Sequence, residues 1–191
     1  MSPATLIVDY QAEWPTEFRQ IGALLRDSLR ETALRIDHIG STAVPGLAAK
    51  DVIDIQVTVA DLADHRVVEA MRRTGATIVD AARDHVPPGT ALAASELEKR
   101  LFVLEYPRRA NIHVRELDRF NQQYPLLCRD YLRSHLPAAD AYAEIKRQLA
   151  RHILGDVNAY YDVKDPVFDL IMSAAREWAE WTDWAPEESD A

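Results

Sequence analysis

"HIGSTAVPGLAAKDVIDIQV", residues 38–57, decides how this chain is read. It opens on a Gly-Ser pair at Gly40 and Ser41, passes Gly46 and Lys50, and ends in a β-branched run holding Asp51 and Asp54. Val52, Ile53, Ile55, Val57 and Val59 favour a strand. Side chains alternate along a strand, so Asp54 and Gln56 share one face and Asp51 falls on the other parity. A Gly-Ser turn leaving a strand lets backbone N–H groups approach a phosphate, and the Ser41 hydroxyl adds a donor. An acid on the following strand can hold a divalent metal that bridges to the same phosphates. The P-loop pattern, Gly-x-x-x-x-Gly-Lys-Ser/Thr, is absent. Taken alone, the stretch reads better as a turn with a capping serine.

Outward from this stretch the periodicities are clear. Upstream, Trp14-Pro15 starts a helix in which Phe18, Ile21, Leu24, Leu25 and Leu29 recur at helical spacing, and "LRIDHIGS" reads as a short strand ending at Gly40. Downstream come a helix closed by Gly75, a strand "ATIVD", and a loop containing Pro87-Pro88-Gly89 that reads as a flap. "RLFVLEYP" and "ANIHVREL" predict a hairpin through Pro107-Arg108-Arg109. From about residue 119 the pattern turns helical in three segments, punctuated by Pro137, Gly155 and Pro166. The order α-β-β-α-β-loop-β-β-α-α-α predicts an α/β (α+β) mixed sheet followed by a helical C-terminal third. Residues 1–185 are expected to form one domain, with 186–191 an acidic frayed tail.

Composition limits the function classes. The 191 residues are 48% hydrophobic and 28% charged, a globular balance, and no apolar run approaches the ~20 residues that span a bilayer. No basic n-region or long h-region marks a signal peptide, and Cys128 is the single cysteine, so a cytoplasmic location is expected. The net charge of −9 disfavours broad nucleic-acid binding. Yet between Lys99 and Arg115 five Lys/Arg stand against Glu105 alone, which suits a local basic wall around an anionic small molecule.

The fold-deciding stretch resembles the signature of the GrpB-like family, a branch of the nucleotidyltransferase superfold. The likeness continues through "VDYQAEWPTEF" (8–18), "RDHVPPG" (83–89), "NIHV" (111–114), "CRDYLRSH" (128–135), "YAEIKRQLA" (142–150) and "YYDVK" (160–164). It covers roughly residues 8–181 in the right order. The resemblance implies a nucleotidyltransferase-like mixed β-sheet with flanking helices. Some members resemble a domain fused to dephospho-coenzyme A kinase, which hints at nucleotide or coenzyme metabolism; within these 191 residues no such kinase is expected.

The nucleotidyltransferase pattern is Gly-Ser, then acid-x-acid on one strand, then a third acid on a neighbouring strand. Gly40, Ser41 and Asp54 match it, Gln56 stands where the second acid is expected, and the neighbouring strand offers His113. The resemblance therefore implies Ser41, Asp54 and His113 as catalytic residues, with Asp54 the ligand of a Mg²⁺ ion if a metal is used. His38, Gly40, Ser41, Arg83, His85, Lys99, Asn111, Lys146 and Lys164 are expected to bind the ligand. The expected partner is an anionic, nucleotide-like or phosphate-bearing small molecule, with nucleotidyl or phosphoryl transfer as the reaction. Gln56 favours the alternative, a non-catalytic ligand-sensing or regulatory domain. Histidine acid/base chemistry at His38, His85 and His113 is a third course. Trp178, Trp181 and Trp184 predict one apolar stripe, able to dock on the body of the protein or to build a homodimer.

Overall fold

A computed structural model describes residues 6–79, 83–106, 108–153 and 156–191. The elements follow the expected order: α1 (Trp14–Leu29), β1 (Arg35–Ile39), β2 (Ile53–Val59), α2 (His65–Arg73), β3 (Thr77–Val79), β4 (Arg100–Leu104), β5 (Ala110–Glu116), α3 (Phe120–Ser134), α4 (Leu136–His152) and α5 (Val157–Thr182). The strands form one mixed sheet in the order β1-β2-β5-β4-β3. β2 and β5 run parallel at its centre, and the other neighbours are antiparallel.

Strand parity divides the sheet into two unlike faces. Ile53, Ile55, Val57 and Val59 of β2, with Ala110, Ile112 and Val114 of β5, pack against Phe18, Ile21 and Leu25 of α1 and Val67 and Met71 of α2. Burying each of the larger side chains contributes ~1.5–3 kcal/mol, so this face anchors the fold. The alternate residues, Asp54, Gln56 and Thr58 of β2 and Asn111, His113 and Arg115 of β5, lie on the opposite face. α3, α4 and α5 cover part of that face. They close a second core in which Leu127, Leu132, Ala143, Met172 and Ala175 pack on Val44, Leu47 and Ala48. The loop after β1 is thereby held under the helices.

Several expectations change. Pro166 lies inside α5 rather than ending a helix; it removes one backbone donor, and the flanking turns continue. Gly155 and Pro107 fall outside the described residues. The tryptophans do not share one face. Trp178 packs edge-on against Tyr131 and His135, and the Trp184 indole donates to Asp130. Trp181 is 84% exposed. Asp183 ends α5 in the left-handed conformation, so Trp184 lies beyond the helix and turns back onto α3 instead of continuing the helical spacing. The acidic tail, expected from its composition to fray, lies along the outer edge of β1. There the His38 amide donates to Asp190, the Ile36 amide to Ser189 Oγ, and the Ala191 amide to the Ile36 carbonyl. An edge strand left bare would offer unpaired backbone groups to other chains.

Candidate functional site

The polar face of the sheet, the Gly40 loop, the helical layer and the flap enclose a cleft of about 690 Å³. Its floor is built by register: Asp54 pairs with Asn111, and Gln56 with His113. Asn111 Nδ2 donates to Asp54 Oδ1 at 2.9 Å, and His113 Nε2 stands 3.7 Å from the same oxygen. The Asp54 side chain keeps 32% exposure. Burial works against its charge, but His113 and Asn111 outweigh it and hold the carboxyl below the ordinary range. Burial pushes His113 the other way, toward the neutral imidazole. Lys99 Nζ stands 3.5 Å from His113 Nδ1, on the ring side away from Asp54.

The Gly40 loop forms one wall. Gly40 has φ +70° and ψ −170°, a region essentially reserved for glycine. A Cβ there would lie 2.6 Å from Asp54 Oδ2. The glycine of the signature is thus fixed twice, by the turn and by the close approach of its backbone to the carboxylate. Ser41 opens a short 3-10 turn (Ser41–Ala43) and accepts a hydrogen bond from Lys146 Nζ at 2.8 Å.

The roof comes from the helices. Lys146 of α4 is 2% exposed and also donates to the Ala48 carbonyl. Burial, then the nearby Lys164 charge, lower its pKa to about 7. Its ammonium lies over the Tyr142 ring, and Lys50 lies over Tyr160 and Tyr161. Lys164 of α5 stands over the Tyr161 and Phe168 rings and 3.6 Å from Asp165. Cations and aromatic rings therefore face the floor across the cleft, a lining suited to phosphate and to a flat ring.

The flap forms the other wall, and here the expected roles shift. Arg83 is mostly exposed and reaches Glu98 at 3.9 Å. His85 Nε2 meets Asp169 Oδ2 at 2.9 Å, and Tyr124 donates to that carboxylate's other oxygen; the flap is thus tied to α5. Asp84, between them, is the residue that turns inward. It accepts both Nε and Nη2 of Arg115, the Lys99 ammonium and Asn121 Nδ2. Those cations outweigh the cost of burial and hold its pKa well below the usual carboxylate range. Neither Asp84 nor Arg115 was expected at the site. Arg115 carried a signal, since it continues the Asn111, His113 parity on β5.

His38 does not join the cleft. Register sets it opposite Ile55, on the apolar face, where its ring stacks on Phe18 at 4.7 Å and bonds Thr42. Burial pushes its pKa down to about 3. His38 shares the parity of Ile36 on β1, which packs in the core beneath α1, so its ring turns away from the cleft. Cys128 is buried, and burial raises its thiol to about 12, so it is inert near neutral pH.

Fold and cleft define a class: a mixed-sheet α/β protein with a Gly-Ser loop, a strand-borne aspartate and a cationic, tyrosine-rich roof. The chain belongs to the GrpB family, whose pattern, described as GrpB protein, matches residues 5–174. The crystal structure of the conserved protein GrpB from Enterococcus faecalis superposes with a TM-score of 0.69 at 26% identity, covering 91% of this chain and 99% of that one. A UPF0157 protein of Halalkalibacterium halodurans is 34% identical over 88% of this chain and 81% of its own length. A protein named dephospho-CoA kinase from Mycolicibacterium paratuberculosis is 34% identical over 94% of this chain. The chain spans about half the length of that kinase and of the similarly named mycobacterial relatives. A cytoplasmic RNA terminal U-transferase matches with a TM-score of 0.49 at 14% identity. No helix among the described residues is long and apolar enough to cross a membrane.

Proposed function

We propose that the cleft binds an anionic, nucleotide-like small molecule and transfers its nucleotidyl or phosphoryl group, in the cytoplasm where such substrates are held. One observation carries the reading: Ser41 with Lys146 on one side and Asp54 with Asn111 and His113 on the other face a common space, with tyrosines and Lys164 above it. In this reading the Gly40–Ser41 loop and Lys146 hold phosphate, Lys164 offsets its charge, and Tyr161, the exposed tyrosine of the pair, lies along the base. The Asn111 amide fixes the Asp54 carboxylate, and His113, donating from Nε2, orients the reacting group. Positioning and charge stabilisation would supply most of the rate.

Asp54 is the one carboxylate of the floor open to the cleft, and it fits a single Mg²⁺, an ion commonly held by one or two carboxylates plus substrate phosphates and waters. Such an ion would supply charge stabilisation at the phosphorus undergoing transfer. The test is incubation with nucleoside triphosphates and Mg²⁺, with products separated by chromatography, for the parent chain and Asp54→Asn. Product from the parent and none from Asp54→Asn is expected. Binding without product in the parent would sink the transferase reading. It would favour the second reading, a ligand-sensing domain, for which neutral Gln56 in place of an acid speaks.

A further inference from the structure

One end of the cleft floor has no role in that reading. Gln56 stands where the nucleotidyltransferase pattern puts its second acid, and both ends of its amide are committed. Its Oε1 accepts from Arg115 Nη1 at 2.8 Å, and its Nε2 donates to the Gln122 carbonyl at 2.8 Å. It is fully buried. The neighbouring strand, where a third acid would stand, offers the Asn111 amide, already donating to Asp54, and His113, with Lys99 against its Nδ1. Among the described residues no group of three or more His, Cys, Asp or Glu side chains is placed to hold a metal ion. One carboxylate, two amides and an imidazole beside an ammonium do not fit a pair of hard divalent ions, which need several charged oxygens.

What stands there instead has the charge such an ion would bring. Arg115 and Lys99 converge on Asp84, with side chains only 5% and 10% exposed. Two cations and one carboxylate leave one positive unit. A dication beside one carboxylate leaves the same. The guanidinium is held at three nitrogens by Gln56 and Asp84, so its position is fixed before any ligand arrives.

We propose that Lys99 and Arg115, clamped by Asp84 and Gln56, stand in for a second divalent ion, so that the cleft binds a phosphate-bearing anion without divalent metal. The inference rests on the reading that this cleft takes such an anion; a single Mg²⁺ at Asp54 would then serve transfer rather than binding. Calorimetric titration of the full chain with ATP and with inorganic tripolyphosphate, once in EDTA and once in excess Mg²⁺, tests it. The expected dissociation constants agree within about threefold between the two conditions. Lys99→Gln should weaken binding in EDTA by roughly tenfold, whereas Asp84→Asn, which lifts the neutralising carboxylate, should tighten it. Should Asp84→Asn fail to fold, as judged by urea denaturation, Lys99→Gln decides alone. ATP binding that appears only with Mg²⁺, or a Lys99→Gln variant that binds like the parent in EDTA, overturns the inference and leaves the proposed function standing. No binding of either anion in either condition overturns both.

Discussion

The two faces of β2 share one backbone and one set of ladder bonds, yet they have opposite tasks. Ile53, Ile55 and Val57 are fully buried under α1 and α2, whereas Asp54 on the other side meets the cleft. The contrast teaches that stability and ligand handling are separated by the two-residue period of a strand. Within the polar face a second contrast appears. The Gln56 amide is shut away, spent on Arg115 and the Gln122 carbonyl, while Asp54 lines the cleft and so do Lys99 and Arg115. The sharpest way to break the first contrast is Ile55→Ala. Removing a fully buried isoleucine side chain should cost ~2–5 kcal/mol, read by urea denaturation. Binding of ATP by the fraction that stays folded should match the parent. A folded Ile55→Ala chain that no longer binds would mean the faces are coupled.

Gly40 is where the two tasks meet, because its turn and its contact with Asp54 are one feature. Gly40→Ala forces a side chain into a glycine-only backbone region at a cost of ~1–3 kcal/mol. It also pushes Asp54 Oδ2 from its place. Both a lowered denaturation midpoint and altered ligand binding are expected. A variant as stable as the parent, with unchanged binding, would show that the close approach does not matter.

The same two-residue period explains what was legible beforehand. The order of elements followed from helical and alternating patterns, and Asp54, Asn111 and His113 came together because each lies on the polar parity of a central strand. Ser41 and Lys146 each lie in a family motif, but their hydrogen bond is set by the packing of α4 over the loop after β1, which neither motif contains. His38, expected at the ligand only from the family signature, shares the parity of Ile36 on β1, and that parity puts its ring against Phe18 instead. Asp84 stands between Arg83 and His85 in a loop, which has no period to say which of three neighbouring polar residues turns inward. The Gln56–Arg115 bond depends on side-chain reach across strands, which no single strand's pattern contains.

His38 gives a test of intermediate size. Its folded pKa of about 3 lies below the unfolded value of 6.5, so only the unfolded chain takes up a proton between them. Stability should therefore fall as pH drops from 6.5 toward 3, this residue adding at most ~1.4 kcal/mol per pH unit. His38→Gln should lack that component in a series of urea titrations across the window. An identical acid profile in both chains would place His38 in contact with solvent, and so away from the apolar face.

The smallest effect belongs to Lys146, on the cleft side. Unfolded, it holds its proton up to about pH 10.5; folded, it releases it near 7. Between these values the unfolded chain binds the extra proton, so this group's contribution to stability rises with pH, and its full penalty is present below 7. A phosphate placed against Lys146 and Ser41 restores the ammonium. Ligand binding at pH 8.5 should then take up a fraction of a proton, and affinity should weaken by less than about tenfold per pH unit above 7. Titration calorimetry in two buffers of different ionisation enthalpy measures the uptake directly, and Lys146→Met should abolish it. Uptake that survives in Lys146→Met would assign the titrating group elsewhere, and His113, which burial also keeps neutral and which faces Asp54, would be the next residue to replace. That result would move the titrating contact with the ligand from the helical roof to the strand floor, where Lys99 already stands against His113.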